Sequence, residues 1–129
     1  MNPLKKQSNP QKELIDVLTD LIVDSIQDIK GENIIKLDLR QIPDSPTSFF
    51  IICDGTSTTQ VQAISSNIYK RMKDEYGDTP FSYEGQTNAN WILMDYFNIV
   101  VHIFHQETRK YYQLEDLWSD AISTEYGNL

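Results

Sequence analysis

Hydrophobic and polar positions divide the chain into a run of distinct elements. From about Gln11 to Lys30, Leu14, Leu18, Leu21, Ile22, Ile26 and Ile29 recur at helical spacing on one face. Asp16, Asp20, Asp24 and Asp28 recur every fourth residue along another face, and Gly31 is placed to stop the helix. Ile34–Leu39 alternates Ile35, Leu37 and Leu39 with Lys36 and Asp38, the period of a half-buried strand. Pro43 and Pro46 mark a loop. Phe49–Cys53 is continuously apolar, aromatic and β-branched, which predicts a central strand buried on both faces. Ser57 and Gln60 form an S-x-x-Q capping box that opens a helix over Thr58–Tyr76. Val61, Ile64, Ile68 and Met72 are its buried stripe and Gly77 its stop, with a loop at Asp78-Thr79-Pro80. Phe81–Glu84 reads as a short edge strand. Trp91–Tyr96 and Ile99–His105 read as a tight antiparallel hairpin across Phe97-Asn98, where Asn98 is the residue suited to positive φ. Leu114, Leu117, Trp118, Ala121 and Ile122 predict a last amphipathic helix. The fold class is therefore α/β, a mixed sheet with helices packed on it.

At 129 residues the chain has the length of one domain. Residues 1–10, polar and carrying Pro3 and Pro10, are expected to form a flexible leader, and 11–129 the single domain. Eleven basic against nineteen acidic side chains give a formal charge of −8. Gripping a phosphate backbone depends on Lys and Arg displacing counterions, so direct nucleic-acid binding is disfavoured and a basic protein partner suits the field better. A single cysteine excludes an internal disulfide framework and any multi-cysteine zinc site. The apolar runs are too short to span a bilayer, and no signal-peptide pattern follows Lys5 and Lys6. A cytoplasmic protein without a membrane role is expected.

Candidate chemistry is sparse. Cys53 ends the most apolar strand and reads as a buried structural thiol. His102 and His105 lie three apart on a strand, on opposite faces, and cannot readily chelate one metal. His102 shares its face with Val100 and Phe104 and reads as a hydrogen-bonded structural histidine. Gly55-Thr56-Ser57 stands at a strand-to-helix junction where N–H groups could receive an anion, but it lacks the lysine and glycine spacing of a phosphate-binding loop. It resembles the Gly-Ser opening of nucleotidyltransferases, which hold Mg²⁺ with paired carboxylates. Here Asp95 stands alone, with Phe97 two residues on. No catalytic residue, metal or cofactor is assigned. On the Trp91–Tyr96 strand, Trp91, Leu93 and Asp95 point one way and Ile92, Met94 and Tyr96 the other. Both faces are largely apolar, so one packs on the helices and the second is covered by another element or by a partner.

Five strings stand in order along the chain: Ile35–Arg40, Phe49–Ile64, Glu84-Gly85 followed by Trp91–Tyr96, Val100–His105, and Arg109–Trp118. Together they resemble the Iojap-like family of ribosomal silencing factors. The resemblance runs from about residue 13 to 122. It implies a nucleotidyltransferase-like fold that has lost catalysis. It also implies binding to the large ribosomal subunit through its fourteenth ribosomal protein, where the factor blocks the small subunit from joining and represses translation. Organellar relatives act in large-subunit assembly, so an assembly role without anti-association activity stays open, as does an active nucleotidyltransferase. Ser48 stands where the family usually has an acidic residue, and Phe97-Asn98 replaces its usual Gly-Asp. The expected partner-binding residues are Glu84, Trp91, Leu93, Asp95 and Tyr96, as an exposed patch. Family members are often homodimeric, and an exposed sheet edge would permit it.

Overall fold

The computed structural model describes residues 10–127, so residues 1–9, and with them most of the expected leader, lie outside the described residues. Helix α1 spans Pro10–Asp28, strand β1 Glu32–Asp38 and strand β2 Phe49–Gly55. Helix α2 spans Thr58–Tyr76 and is followed by β3 (Ser82–Glu84), β4 (Trp91–Asp95) and β5 (Ile99–His105). A short helix α3 (Gln106–Tyr112), a 3₁₀ turn (Leu114–Trp118) and β6 (Ile122–Tyr126) complete the chain. The strands form one mixed sheet in the order β3-β4-β5-β2-β1-β6. Only β2 and β5 pair in parallel; the other neighbours are antiparallel. These two strands hold the centre, and each is buried on both faces, as the apolar run at Phe49–Cys53 predicts.

The two faces of the sheet are covered differently. On one, Ile22 and Ile26 of α1 and Ile64 and Ile68 of α2 pack against Ile51, Cys53, Ile92, Met94, Val101 and Ile103. Among the described residues the other carries no long helix. There Leu37, Phe50, Ile52, Val100 and Phe104 form a second cluster, partly roofed by Leu114, Trp118 and Ala121.

Local chemistry explains the element ends. Ser57 Oγ accepts the Gln60 N–H at 3.1 Å, and Gly77 takes the left-handed conformation at φ 66°. The Gln60 side chain reaches one residue further back than a capping box requires. Its Oε1 accepts from Thr56 N–H at 2.8 Å, and its amide donates to the Ile29 and Lys30 carbonyls. The Gly55–Ser57 junction is thus occupied by the chain's own groups. The end of α1 differs from expectation. Lys30, not Gly31, adopts positive φ, and Gly31 is required because a Cβ there would collide with the Ile26 side chain. The aspartate stripe of α1 is exposed, yet its last two members are engaged: Arg71 Nη1 of α2 binds Asp24 and Asp28 at 2.7 and 2.9 Å.

Two further expectations are corrected. In the β4–β5 hairpin the positive φ falls on Phe97 (72°), not on Asn98. Three hydrogen bonds hold it there: Asn98 N–H to the Tyr96 carbonyl, Phe97 N–H to Asp95 Oδ1, and Thr47 Oγ1 to the Phe97 carbonyl. The predicted last helix is replaced by α3, the 3₁₀ turn and an edge strand. Gln113 at φ 48° ends α3 before Leu114, Leu117 is 74 % exposed, and Ile122 pairs with Asp38 as the start of β6.

Candidate functional site

The face opposite α1 and α2 exposes its chemistry over β3, β4 and β5. Register places Glu84 opposite Leu93, Leu93 opposite His102, and Trp91 opposite Phe104. Cross-strand partners share a face, so Glu84, Trp91, Leu93 and Asp95 stand together on this side. Trp91 and Leu93 are half-buried against the second core cluster, and Glu84 is exposed. Asp95 Oδ1 is held by the Phe97 N–H at 2.7 Å, and Glu84 Oε2 accepts from Ser82 Oγ at 2.6 Å. Tyr96 does not belong to an exposed patch. It is 8 % exposed and sits in the helix-side core, because period-two alternation sends it opposite to Asp95. Its hydroxyl has no partner, and burial pushes the phenol pKa up.

Trp91 is fixed from several sides. Its indole N–H donates to His102 Nδ1 at 3.1 Å, and its ring lies 4.7 Å from Phe104 and 4.9 Å from Tyr112, centroid to centroid. His102 is therefore the hydrogen-bonded histidine the sequence suggested, and Phe50 meets its ring edge-on at 4.7 Å. Burial lowers its pKa to about 4, since the packed apolar surroundings disfavour the imidazolium. His105 lies elsewhere, capping α3 by accepting the Glu107 N–H at 3.3 Å. Cys53 is wholly buried, and desolvation raises its thiol pKa. Among the described residues no group of three or more His, Cys, Asp or Glu side chains could hold a metal ion. No described helix is long and apolar enough to cross a membrane.

Two features escaped the sequence reading. The first is a cleft of about 690 Å³ beyond the ends of β2 and β5, lined by residues of β1, α3 and β6. At its base Arg109 Nη1 binds Asp54 Oδ2 at 3.1 Å and the Asn33 carbonyl at 2.6 Å, while its Nε and Nη2 bind Glu115 Oε2. Asn33 Nδ2 also donates to the Asp54 carboxylate. This network is spent on the fold, joining residues 55 positions apart; no pattern in the sequence announces such a pair. The second is a smaller groove of about 400 Å³ beside Trp91, lined also by Asn90, Glu107, Thr108, Tyr111 and Tyr112. Its signal in the sequence was the adjacent pair Tyr111-Tyr112, exposed by 81 and 52 %.

A mixed sheet whose long helices, among the described residues, all pack on one face defines an α/β domain. Comparison with known proteins places it more narrowly. The family model described as ribosomal silencing factor during starvation matches residues 11–129. The chain is 40 % identical over 108 residues to the ribosomal silencing factor RsfS of Halalkalibacterium halodurans, covering 84 % of this chain and 91 % of the relative. It is 44 % identical over 94 residues to the RsfS of Bacillus subtilis, covering 73 and 78 %. A crystal structure of a Chromobacterium violaceum protein superposes with a TM-score of 0.77 at 31 % identity, covering 81 % of this chain and 86 % of that one. The chain belongs to the ribosomal silencing factor family.

Proposed function

We propose that this chain binds the large ribosomal subunit through its fourteenth ribosomal protein, using the β3–β4 part of the face opposite α1 and α2, and that its bulk keeps the small subunit from joining. The mechanism is steric and needs no cofactor, metal or turnover. One observation carries the reading: the half-buried Trp91 and Leu93 stand on this face beside Glu84 and Asp95, and no Lys or Arg lies on β3, β4 or β5. Apolar side chains supply contact area, and carboxylates supply orientation and on-rate against a basic protein. Tyr96 contributes by packing from the other side of the sheet.

The test is the affinity of the Trp91→Ala variant for the isolated ribosomal protein and for the large subunit. A hot-spot loss of about 2 kcal/mol, roughly thirtyfold in Kd, is expected. Truncating a packed tryptophan also costs roughly 3 kcal/mol of stability, so near-ultraviolet circular dichroism must first show a folded variant. Unchanged affinity in a folded variant removes Trp91 from the contact.

A further inference from the structure

The groove beside Trp91 has a composition that the sheet face alone does not explain. Trp91 turns its indole N–H inward to His102 and packs at a tilt against Phe104, so what it offers outward is ring surface rather than a donor. Tyr112 stands 4.9 Å from it, and Tyr111 meets Tyr112 edge-on at 5.0 Å. The polar groups of the lining are Asn90, Thr108 and the Glu107 carboxylate. Lys110 reaches Glu107 at 3.6 Å, but both side chains are more than half exposed, and a contact so solvated is readily exchanged. Aromatic faces around a recess with one carboxylate, in a chain of charge −8, suit a cation that can lie flat. A guanidinium does this better than an ammonium, being planar and more weakly hydrated.

We propose that this groove is a receptor for an arginine side chain of a basic protein partner, the guanidinium lying over the outer ring surface of the Trp91–Tyr112 pair with Glu107 as its counter-charge. The proposal rests on the reading that this face meets a ribosomal protein, and it names the side chain that the face selects.

The test titrates the full chain, labelled for nuclear magnetic resonance, with two short peptides identical except that one carries arginine and the other its neutral isostere citrulline. The arginine peptide should shift the Trp91 indole resonance and bind at least about fivefold more tightly than the citrulline peptide. Tyr112→Ala and Glu107→Gln, both at exposed positions, should each weaken it several-fold and weaken large-subunit binding in parallel. Equal affinity for the two peptides, no response to either, or indifference to both substitutions overturns the groove. If the large subunit binds wild type and both variants alike, the groove fails and the ribosomal reading stands. If the arginine peptide binds in the groove but the large subunit does not bind the chain, the groove stands and the ribosomal reading fails.

Discussion

Acidification should weaken this fold through one buried side chain, His102. It is 5 % exposed, its Nδ1 accepts the Trp91 indole N–H, and its Nε2 has no partner. Charging the ring would put a proton on Nδ1, break that bond and leave a cation among aromatic rings. Burial accordingly holds its pKa at about 4, against 6.5 in the ordinary imidazole. The sign follows from proton counting. Above 6.5 neither folded nor unfolded chain is protonated there. Between 6.5 and about 4 the unfolded chain binds a proton that the folded chain refuses, so stability falls as pH falls, and below about 4 the loss is complete. The full loss is roughly 3 kcal/mol, of which about 2 kcal/mol is reached near pH 5. That is a large fraction of the 5–15 kcal/mol typical of a domain. Urea unfolding followed by tryptophan fluorescence across this pH range measures it. His102→Gln keeps an acceptor for the indole but does not titrate, so its stability should be flatter from neutral pH to about pH 5. An equal pH slope in wild type and His102→Gln would refute the assignment.

Two other perturbations test the packing that holds the site. Asp54→Ala removes a carboxylate only 3 % exposed and leaves Arg109 and Asn33 short of a partner; because Glu115 still holds Arg109, a loss of about 3 kcal/mol is expected, or about 10 °C in Tm by calorimetry. An unchanged Tm would mean the pair is solvated. Gly85 sits at φ 92°, and a Cβ there would collide with the Trp91 carbonyl oxygen, so Gly85→Ala should cost at least about 2 kcal/mol and displace the start of β4. Denaturation midpoint together with the Trp91 indole shift reports both effects, and a native shift at native stability would contradict it.

Legibility in the sequence followed how local the cause was. The Phe49–Cys53 strand and the Thr58–Tyr76 helix are set by unbroken apolar period and by caps within a few residues, and both stand as read. The opposition of Trp91 and Tyr96 was also readable from alternation; grouping them in one patch ignored it. The 114–122 stretch misled because its helical spacing has a second physical cause. Leu114 and Trp118 roof the sheet from a 3₁₀ turn, while Ile122 belongs to an edge strand whose residues are mostly exposed and therefore carry no clear alternation. Phe97 took a conformation its side chain disfavours because Asp95 and Thr47, one of them far away in sequence, bind its backbone. Asp54 and Arg109 could be joined only once β2 and β5 lay side by side.

The central claim is that this small acidic domain occupies space the small ribosomal subunit needs. Light scattering of purified subunits, mixed with and without saturating chain, measures that directly. Scattering should stay at the level of separate subunits when the chain is bound to the large one. Normal association of a large subunit demonstrably saturated with the chain would contradict the account and leave subunit assembly as the role to pursue.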